Sequence, residues 1–269
     1  MRILDAVLLG ILQGFTEFLP VSSSGHLVLG EQLLNLHGPQ LIAFDVFAHF
    51  GTLISVVVVF WSDIVAVANS FFRAFTTFHV IEEYEQSAPF RLGVSLAVAT
   101  IPAAVIGVMY RRQIEAAFSD PKMVSMNLVI TGLILFLTRL ARPKQGKQIG
   151  IASAVWIGIA QAFAILPGIS RSGSTMSTAQ YLKHAPVLGA RFSFLLSIPA
   201  IAGATLLEGV SYFQSGAELG VAPMIVGAAV SAAAGYVAIK LLLRIVERGK
   251  FSWFSFYCLA AGLVGIIFI

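Results

Sequence analysis

"GILQGFTEFLPVSSSG" runs from Gly10 to Gly25 and "GIAQAFAILPGISRSG" from Gly158 to Gly173. Laid over one another at a shift of 148 residues, without a gap, they agree at seven of sixteen positions: Gly10/Gly158, Ile11/Ile159, Gln13/Gln161, Phe15/Phe163, Ser22/Ser170, Ser24/Ser172 and Gly25/Gly173. Roughly one or two matches are expected by chance in apolar sequence, so the pair reads as an internal duplication. The plainer alternative is two Ser/Gly-rich breaks of similar composition. In both stretches an apolar helical pattern is stopped by proline and followed by small polar residues. Non-helical backbone survives at membrane depth only inside protein or along a wet cavity. Each stretch therefore reads as a broken, re-entrant helix pair, over about 3 to 36 and 149 to 185.

That reading presumes a membrane, and the composition supplies one. Of 269 residues 58% are hydrophobic and only 11% charged, and the mean hydropathy of +0.89 lies far outside the soluble range. A spanning helix needs about 20 mostly apolar residues. Six stretches qualify, at approximately 44 to 62, 90 to 110, 122 to 140, 190 to 210, 222 to 243 and 252 to 269. The expected fold is all-α: one integral membrane domain over 1–269, with six spanning helices and two broken helix pairs. Repeat 1 covers about 1–140 and repeat 2 about 149–269. Each repeat then holds one broken segment and three spans, and an odd number of spans inverts the second copy. Inverted-topology repeats of this kind bring their broken segments together near the midplane.

Charge gives the orientation. With both termini outside, twelve of the seventeen basic residues fall on the cytoplasmic side, among them Arg139, Arg142, Lys144 and Lys147. Four fall outside, Arg2, Arg111, Arg112 and Lys122, and Arg171 stands apart within the membrane. The positive-inside rule favours that arrangement. The connection around Glu208 and Glu218 also falls outside, whereas Arg111 and Arg112 run against the rule. The start of the chain does not resemble a cleavable signal. The single Cys258 excludes a disulfide framework or a cysteine-based zinc site within one chain. No CxxC, HExxH or P-loop pattern occurs, and a net charge of +4 gathered at span ends is topology information, not a nucleic-acid footprint.

Within the breaks the residue types suggest chemistry. Gln13 and Glu17 lie four apart, hence on one helix face. Pro20 ends that helix, and Ser22, Ser23, Ser24, Gly25 and His26 follow, with a new helix expected near Ser24. The second break offers Ser170, Arg171, Ser172, Gly173, Ser174 and Thr175 ahead of another helix start. Two helix N-termini and a guanidinium facing each other describe a pocket for phosphate or pyrophosphate. Structural readings stand beside these. Glu17 and Arg171 could form an ion pair, His26 a helix-terminal hydrogen bond, and most of the serines caps. Asp45 and His49, one turn apart, either reach the same cavity or anchor the start of a span. Pro102 and Pro199 read as packing kinks.

"QGFTEFLPVSSSGH" and "PGISRSG" resemble the [EQ]xxxE, PxSSxGH and PGxSRSG signatures of the bacterial undecaprenyl-diphosphate phosphatases linked to bacitracin resistance. The likeness extends over essentially the whole chain in length and segment order. It implies an inverted-repeat enzyme of the bacterial plasma membrane. Such an enzyme removes the terminal phosphate of undecaprenyl diphosphate on the outer side, recycling the lipid carrier for peptidoglycan synthesis. The resemblance assigns Glu17 as base or metal ligand, Ser23 as nucleophile, His26 as its neighbour and Arg171 as the diphosphate-binding cation. Gln13, Ser22, Gly25, Ser170, Ser172, Gly173, Ser174 and Thr175 would line the pocket. Glutamine at the first position of [EQ]xxxE puts in doubt any scheme that needs two carboxylates there. The family's association with Mg2+ or Ca2+ implies a cation carried with the diphosphate, since Glu17 and Asp45 are the only hard protein ligands in view. Expected partners are the lipid diphosphate and membrane lipid, with a homodimer as the assembly to test and no nucleic acid. A prenyl-phosphate flippase using the same anion pocket is the alternative, and covalent phosphoserine and direct water attack both stay open.

Overall fold

The computed structural model describes residues 1–36, 38, 40–118, 120–142, 148–214 and 221–268. Lys144, Lys147 and Glu218 lie outside the described residues, as does the side chain of Glu208. Among the described residues all regular structure is helical, with no strand. In chain order the helices are α1 (Ile3–Phe18), α2 (Ser23–Leu33), α3 (Gln40–Val59), α4 (Trp61–Thr77), α5 (Val80–Gln86), α6 (Ala88–Met109), α7 (Arg111–Phe118) and α8 (Pro121–Leu137). After these come α9 (Ile151–Phe163), α10 (Arg171–Tyr181), α11 (Pro186–Gln214), α12 (Val221–Glu247) and α13 (Phe254–Phe268).

Six segments are long and apolar enough to cross a membrane: Leu41–Val59, Ala88–Met109, Pro121–Leu140, Pro186–Leu206, Val221–Glu247 and Phe251–Phe268. The polytopic all-α expectation therefore holds. The first span sits about three residues earlier than the hydropathy suggested, because Phe60, at φ −109° and ψ 24°, separates α3 from α4. Helices α4, α5 and α7 were not anticipated; α5 and α7 are charged and only seven and eight residues long. Pro102 and Pro199 lie inside α6 and α11.

Helix boundaries follow the 148-residue shift: α1 starts at Ile3 and α9 at Ile151, while α2 and α10 run over Ser23–Leu33 and Arg171–Tyr181. The packing is exchanged between the halves, with α1 lying along α12 and α9 along α6, and α8 against α13. Without a hydrophobic drive between helices in lipid, such contacts rely on small residues that let backbones approach. A Cβ on Gly14 would lie 2.5 Å from Ala234 Cβ and 2.7 Å from the Ser231 carbonyl on α12; on Gly158 it would lie 2.5 Å from the Ala99 carbonyl on α6. The outward faces, such as Leu4, Leu8 and Ile11 on α1 or Ile101, Val105 and Val108 on α6, remain exposed as lipid-facing surface.

The main core surrounds the two breaks and draws on both halves, with Phe18 and Val21 beside Val56, Phe60, Leu135, Met176, Phe194, Ile239 and Cys258. Phe18 meets Phe194 edge-on at 5.6 Å between ring centroids, a geometry worth about 0.5–1.5 kcal/mol beyond its buried area. That core fixes where α1 ends and α2 and α10 begin.

Candidate active site

The first break starts where Leu19 leaves helical dihedrals for φ −64° and ψ 143°, the conformation expected ahead of a proline. Ser22 then takes φ 69° and ψ 97°, a region that non-glycine residues occupy at a cost of about 1–3 kcal/mol. The Ser22 side chain caps nothing at the start of α2; its hydroxyl lies 3.3 Å from that of Ser24. Helix α2 begins one residue earlier than expected, at Ser23.

The second break is held differently. Asn127 Nδ2 on α8 donates to the Pro167 carbonyl at 2.7 Å, Thr131 Oγ1 donates to the Gly168 carbonyl at 2.9 Å, and Ser170 N donates to Thr131 Oγ1 at 3.0 Å. These bonds satisfy backbone groups that hydrocarbon would leave unpaired. Gly168 is required here, with φ +88° and only 2.2 Å between a Cβ and the Val124 carbonyl. Ser170 caps α10 by accepting from Gly173 N at 3.0 Å.

The two breaks meet at Glu17, which is 7% exposed. Gln13 Nε2 donates to its Oε2 at 3.0 Å, Ser23 Oγ donates to the same oxygen at 2.7 Å, and Arg171 Nη2 forms an ion pair with its Oε1. His49 Nε2 lies 3.8 Å from Oε2. One carboxylate therefore joins the serine of one copy to the guanidinium of the other, in surroundings where charge–charge attraction is little screened. Arg171 Nη1 and Gln13 Oε1 are buried without a protein partner. An unused N–H of a fixed, always-charged fork is what a phosphate oxygen accepts from.

His26 is directed elsewhere. Its Nδ1 lies 2.8 Å from the Ser22 carbonyl and its Nε2 2.6 Å from the Tyr257 hydroxyl on α13. A carbonyl only accepts, so Nδ1 carries the proton and Nε2 of the neutral ring accepts from Tyr257. His26 thus borders the break without touching Ser23 Oγ, and Tyr257, which stacks on its ring at 17°, was missed from sequence. A lone tyrosine in a span carries no local signal of the imidazole it will meet.

The remaining expected residues divide into two groups. Gly25 and Gly173 lie at the interface, a Cβ on the former 3.7 Å from Gly168 Cα and on the latter 3.3 Å from Pro20 Cβ. Ser172 Oγ donates to the Leu19 carbonyl at 3.3 Å and lies 3.2 Å from Ser170 Oγ, tying the breaks together. Thr175 turns away, to Ser193 Oγ on α11 at 2.6 Å and the Arg171 carbonyl at 2.8 Å. Ser174 Oγ is buried without a partner. Asp45 shares a side-chain hydrogen bond with Glu31 on α2, while His49, from the same turn, is the residue that reaches Glu17. Glu17 is already engaged by three side chains, and among the described residues no group of three or more His, Cys, Asp or Glu could hold a metal ion. The residues present do not fit a resident metal.

A model of the bacitracin resistance protein BacA family matches residues 6–264. An undecaprenyl-diphosphatase of Desulforapulum autotrophicum is 40% identical over 273 residues, covering 99% of this chain and 98% of that protein. One from Salinibacter ruber is 38% identical over 264 residues, 97% of each chain. One from Halothermothrix orenii is 39% identical over 270 residues, covering 99% and 98%.

Proposed function

The chain belongs to the bacitracin resistance protein BacA family, and on that premise we propose that it is an undecaprenyl-diphosphate phosphatase whose reacting groups are Ser23, Glu17 and Arg171. The observation that carries the assignment is the shared carboxylate: Glu17 accepts from Ser23 Oγ at 2.7 Å and pairs with Arg171 through its other oxygen. A hydroxyl on a carboxylate beside a buried guanidinium is the arrangement needed to attack a phosphoryl group.

The lipid diphosphate enters between helices with its tail in hydrocarbon and its head group between the two breaks. Phosphate oxygens take Arg171, first through the unused Nη1 and then in competition with Glu17. The start of α2, left uncapped by Ser22, adds backbone N–H groups to the charge offset in the transition state. As Arg171 turns to phosphate, Glu17 loses its cation and becomes the base for Ser23. The Ser23 Oγ to phosphorus bond forms, the bond to the lipid monophosphate breaks, and water releases the phosphoserine. A divalent cation, Mg2+ or Ca2+, arrives as part of the substrate, bound to the diphosphate. His26 fixes the Ser22 backbone, from which Ser23 projects.

The twelve-to-four distribution of basic residues supports a bacterial plasma-membrane protein with both ends outside and the site open to the outer face. Labelling of single cysteines placed between α11 and α12 in a Cys258-free variant tests this; protection in intact cells would overturn it. Transport of a prenyl phosphate would need the anion pocket but not the Ser23 to Glu17 contact, so the geometry favours hydrolysis.

Phosphate release from a C15 or C55 diphosphate in detergent micelles tests the assignment, comparing the parent with Glu17→Ala, Ser23→Ala and Arg171→Ala. Hydrolysis unchanged in the Glu17 and Arg171 variants would overturn the site. A Ser23→Ala protein that stays active would replace the covalent route with direct attack by water.

A further inference from the structure

Four side chains contact Glu17, and two of them cannot take up a proton: Gln13 is an amide and Arg171 a permanent cation. Ser23 is the group to be deprotonated, which leaves His49. Its ring is held in one tautomer, because Nδ1 lies 2.7 Å from the Asp45 carbonyl one turn earlier on α3 and therefore carries the hydrogen. The lone pair of the neutral ring is then on Nε2, 3.8 Å from Glu17 Oε2, the oxygen that accepts from Ser23.

The backbone of α3 on either side of His49 packs closely on α12: Ser231 Oγ donates to the Ala48 carbonyl at 2.8 Å, and a Cβ on Gly51 would meet the Ala228 carbonyl at 2.2 Å. These contacts set the rotation of α3 that carries His49 to Glu17. The His49 side chain is 27% exposed against 6% for Glu17, so it is the more open of the two. At the 148-residue shift its counterpart is Ser197, and that of Asp45 is Ser193. Ser197 Oγ bonds only within its own helix, to the Phe194 carbonyl, and Ser193 meets Thr175. The imidazole is present only in the copy that carries Ser23 and Glu17.

We propose that His49 serves the reaction through Glu17, as a positioning residue that holds the proton Ser23 gives up. The inference rests on the phosphatase reading above. As the Ser23 Oγ to phosphorus bond forms and the lipid monophosphate leaves with the electron pair of the broken bond, the hydroxyl proton passes to Glu17 Oε2 and on to His49 Nε2. The imidazolium beside the restored carboxylate forms an ion pair in place of the one that Arg171 gave up to phosphate. When water attacks the phosphoserine, one of its protons stays on the phosphate and the other returns through Glu17 to Ser23 Oγ. The proton on His49 then leaves through the exposed part of the side chain, one per diphosphate hydrolysed. The 3.8 Å separation closes to hydrogen-bond length once Arg171 releases Glu17, in keeping with contacts that tighten only in the substrate complex.

The test uses His49→Gln, which keeps a donor toward Glu17 but cannot titrate, and His49→Ala, assayed on a C15 diphosphate in micelles. His49→Gln is expected to lower kcat about 100-fold with KM changed less than about twofold, and imidazole in the buffer to restore about tenfold of the rate lost by His49→Ala. A His49→Gln protein with the parent kcat overturns the proposal. So does a His49→Ala protein that imidazole leaves unchanged, because a packing role is not rescued by a proton carrier. Absence of phosphate release from the parent would fail the phosphatase reading itself. An active parent, an inactive Glu17→Ala and a parent-like His49→Gln would remove only the role of His49.

Discussion

The two breaks share a sequence pattern and differ in how they are built. The second is pinned to α8 by Asn127 and Thr131 through three hydrogen bonds of 2.7 to 3.0 Å, and its serine caps α10. The first has a strained, non-capping Ser22 at φ 69°, tied through its carbonyl to His26 Nδ1 at 2.8 Å, and longer contacts elsewhere, with Cys258 Sγ 3.4 Å from the Pro20 carbonyl and Ser172 Oγ 3.3 Å from that of Leu19. Position 17 of the first copy corresponds to Ile165, and position 23 to Arg171. The stiff copy supplies the fixed charge and the looser copy the groups that exchange protons. A stiff backbone under Arg171 limits how far the guanidinium moves when it exchanges Glu17 for phosphate, and reorientation costs part of what a cation contributes to the transition state. A nucleophile has to travel some tenths of an ångström toward phosphorus, and a lightly held backbone permits this.

The largest effect should come from the residue that joins the copies. Glu17→Ala is expected to lower kcat/KM about 10⁴-fold or more, as it removes the base and strands Arg171. It should also destabilise the fold by about 3–5 kcal/mol, the cost of breaking one side of a buried ion pair. Phosphate release and thermal unfolding in detergent measure the two effects. Arg171→Ala should follow, with a loss of about 10²–10³-fold in kcat and a smaller one in stability, since Glu17 keeps Gln13 and Ser23 as donors.

Next in size is the pinning of the second break. Asn127→Leu leaves the Pro167 carbonyl without its donor and should cost about 1–3 kcal/mol, read as a lower Tm with a raised KM. Cys258→Ala, the corresponding change beside the first break, should cost less than about 1 kcal/mol. Equal losses from the two would erase the difference in stiffness argued above. A similarly small effect is expected of Tyr257→Phe, about 1 kcal/mol in stability and less than about tenfold in kcat, because one neutral hydrogen bond is lost. A fall of 100-fold or more, on the order of an acid–base role, would make His26 a reacting group instead of a brace for Ser22.

Much of the fold was legible in the chain. Spans could be counted because about 20 apolar residues is a local property, and the breaks could be found because Pro20 and the Pro167–Gly168 pair are followed by runs of small polar residues, unlike Pro102 and Pro199, which stay inside helices. Glu17 and Arg171 were identifiable as the unusual groups in an apolar setting, since burying them has to be compensated, whereas Ser23 was set apart from Ser22 and Ser24 only by the family resemblance. Their partners were not identifiable. Tyr257 meets a residue 231 positions away, and Asn127 one 40 positions away, and no spacing rule connects such pairs. Asp45 and His49, one turn apart, could either reach the cavity or anchor the start of a span, and spacing within one helix does not decide between the two.

By itself the sequence determined an all-helical membrane protein with two proline-stopped breaks that each begin a short polar helix. Length of apolar run, proline and residue type act within a few positions, so they can be read without the fold. Tertiary structure alone decided that a single carboxylate joins Ser23 to Arg171, that His49 and not His26 stands beside it, and that α8 stiffens one break while the other stays lightly held. Those outcomes depend on the rotation and depth at which α3, α8, α12 and α13 pack. Close contacts such as Gly14 on Ala234 and Gly51 on Ala228 set these, through the steric fit of whole helices.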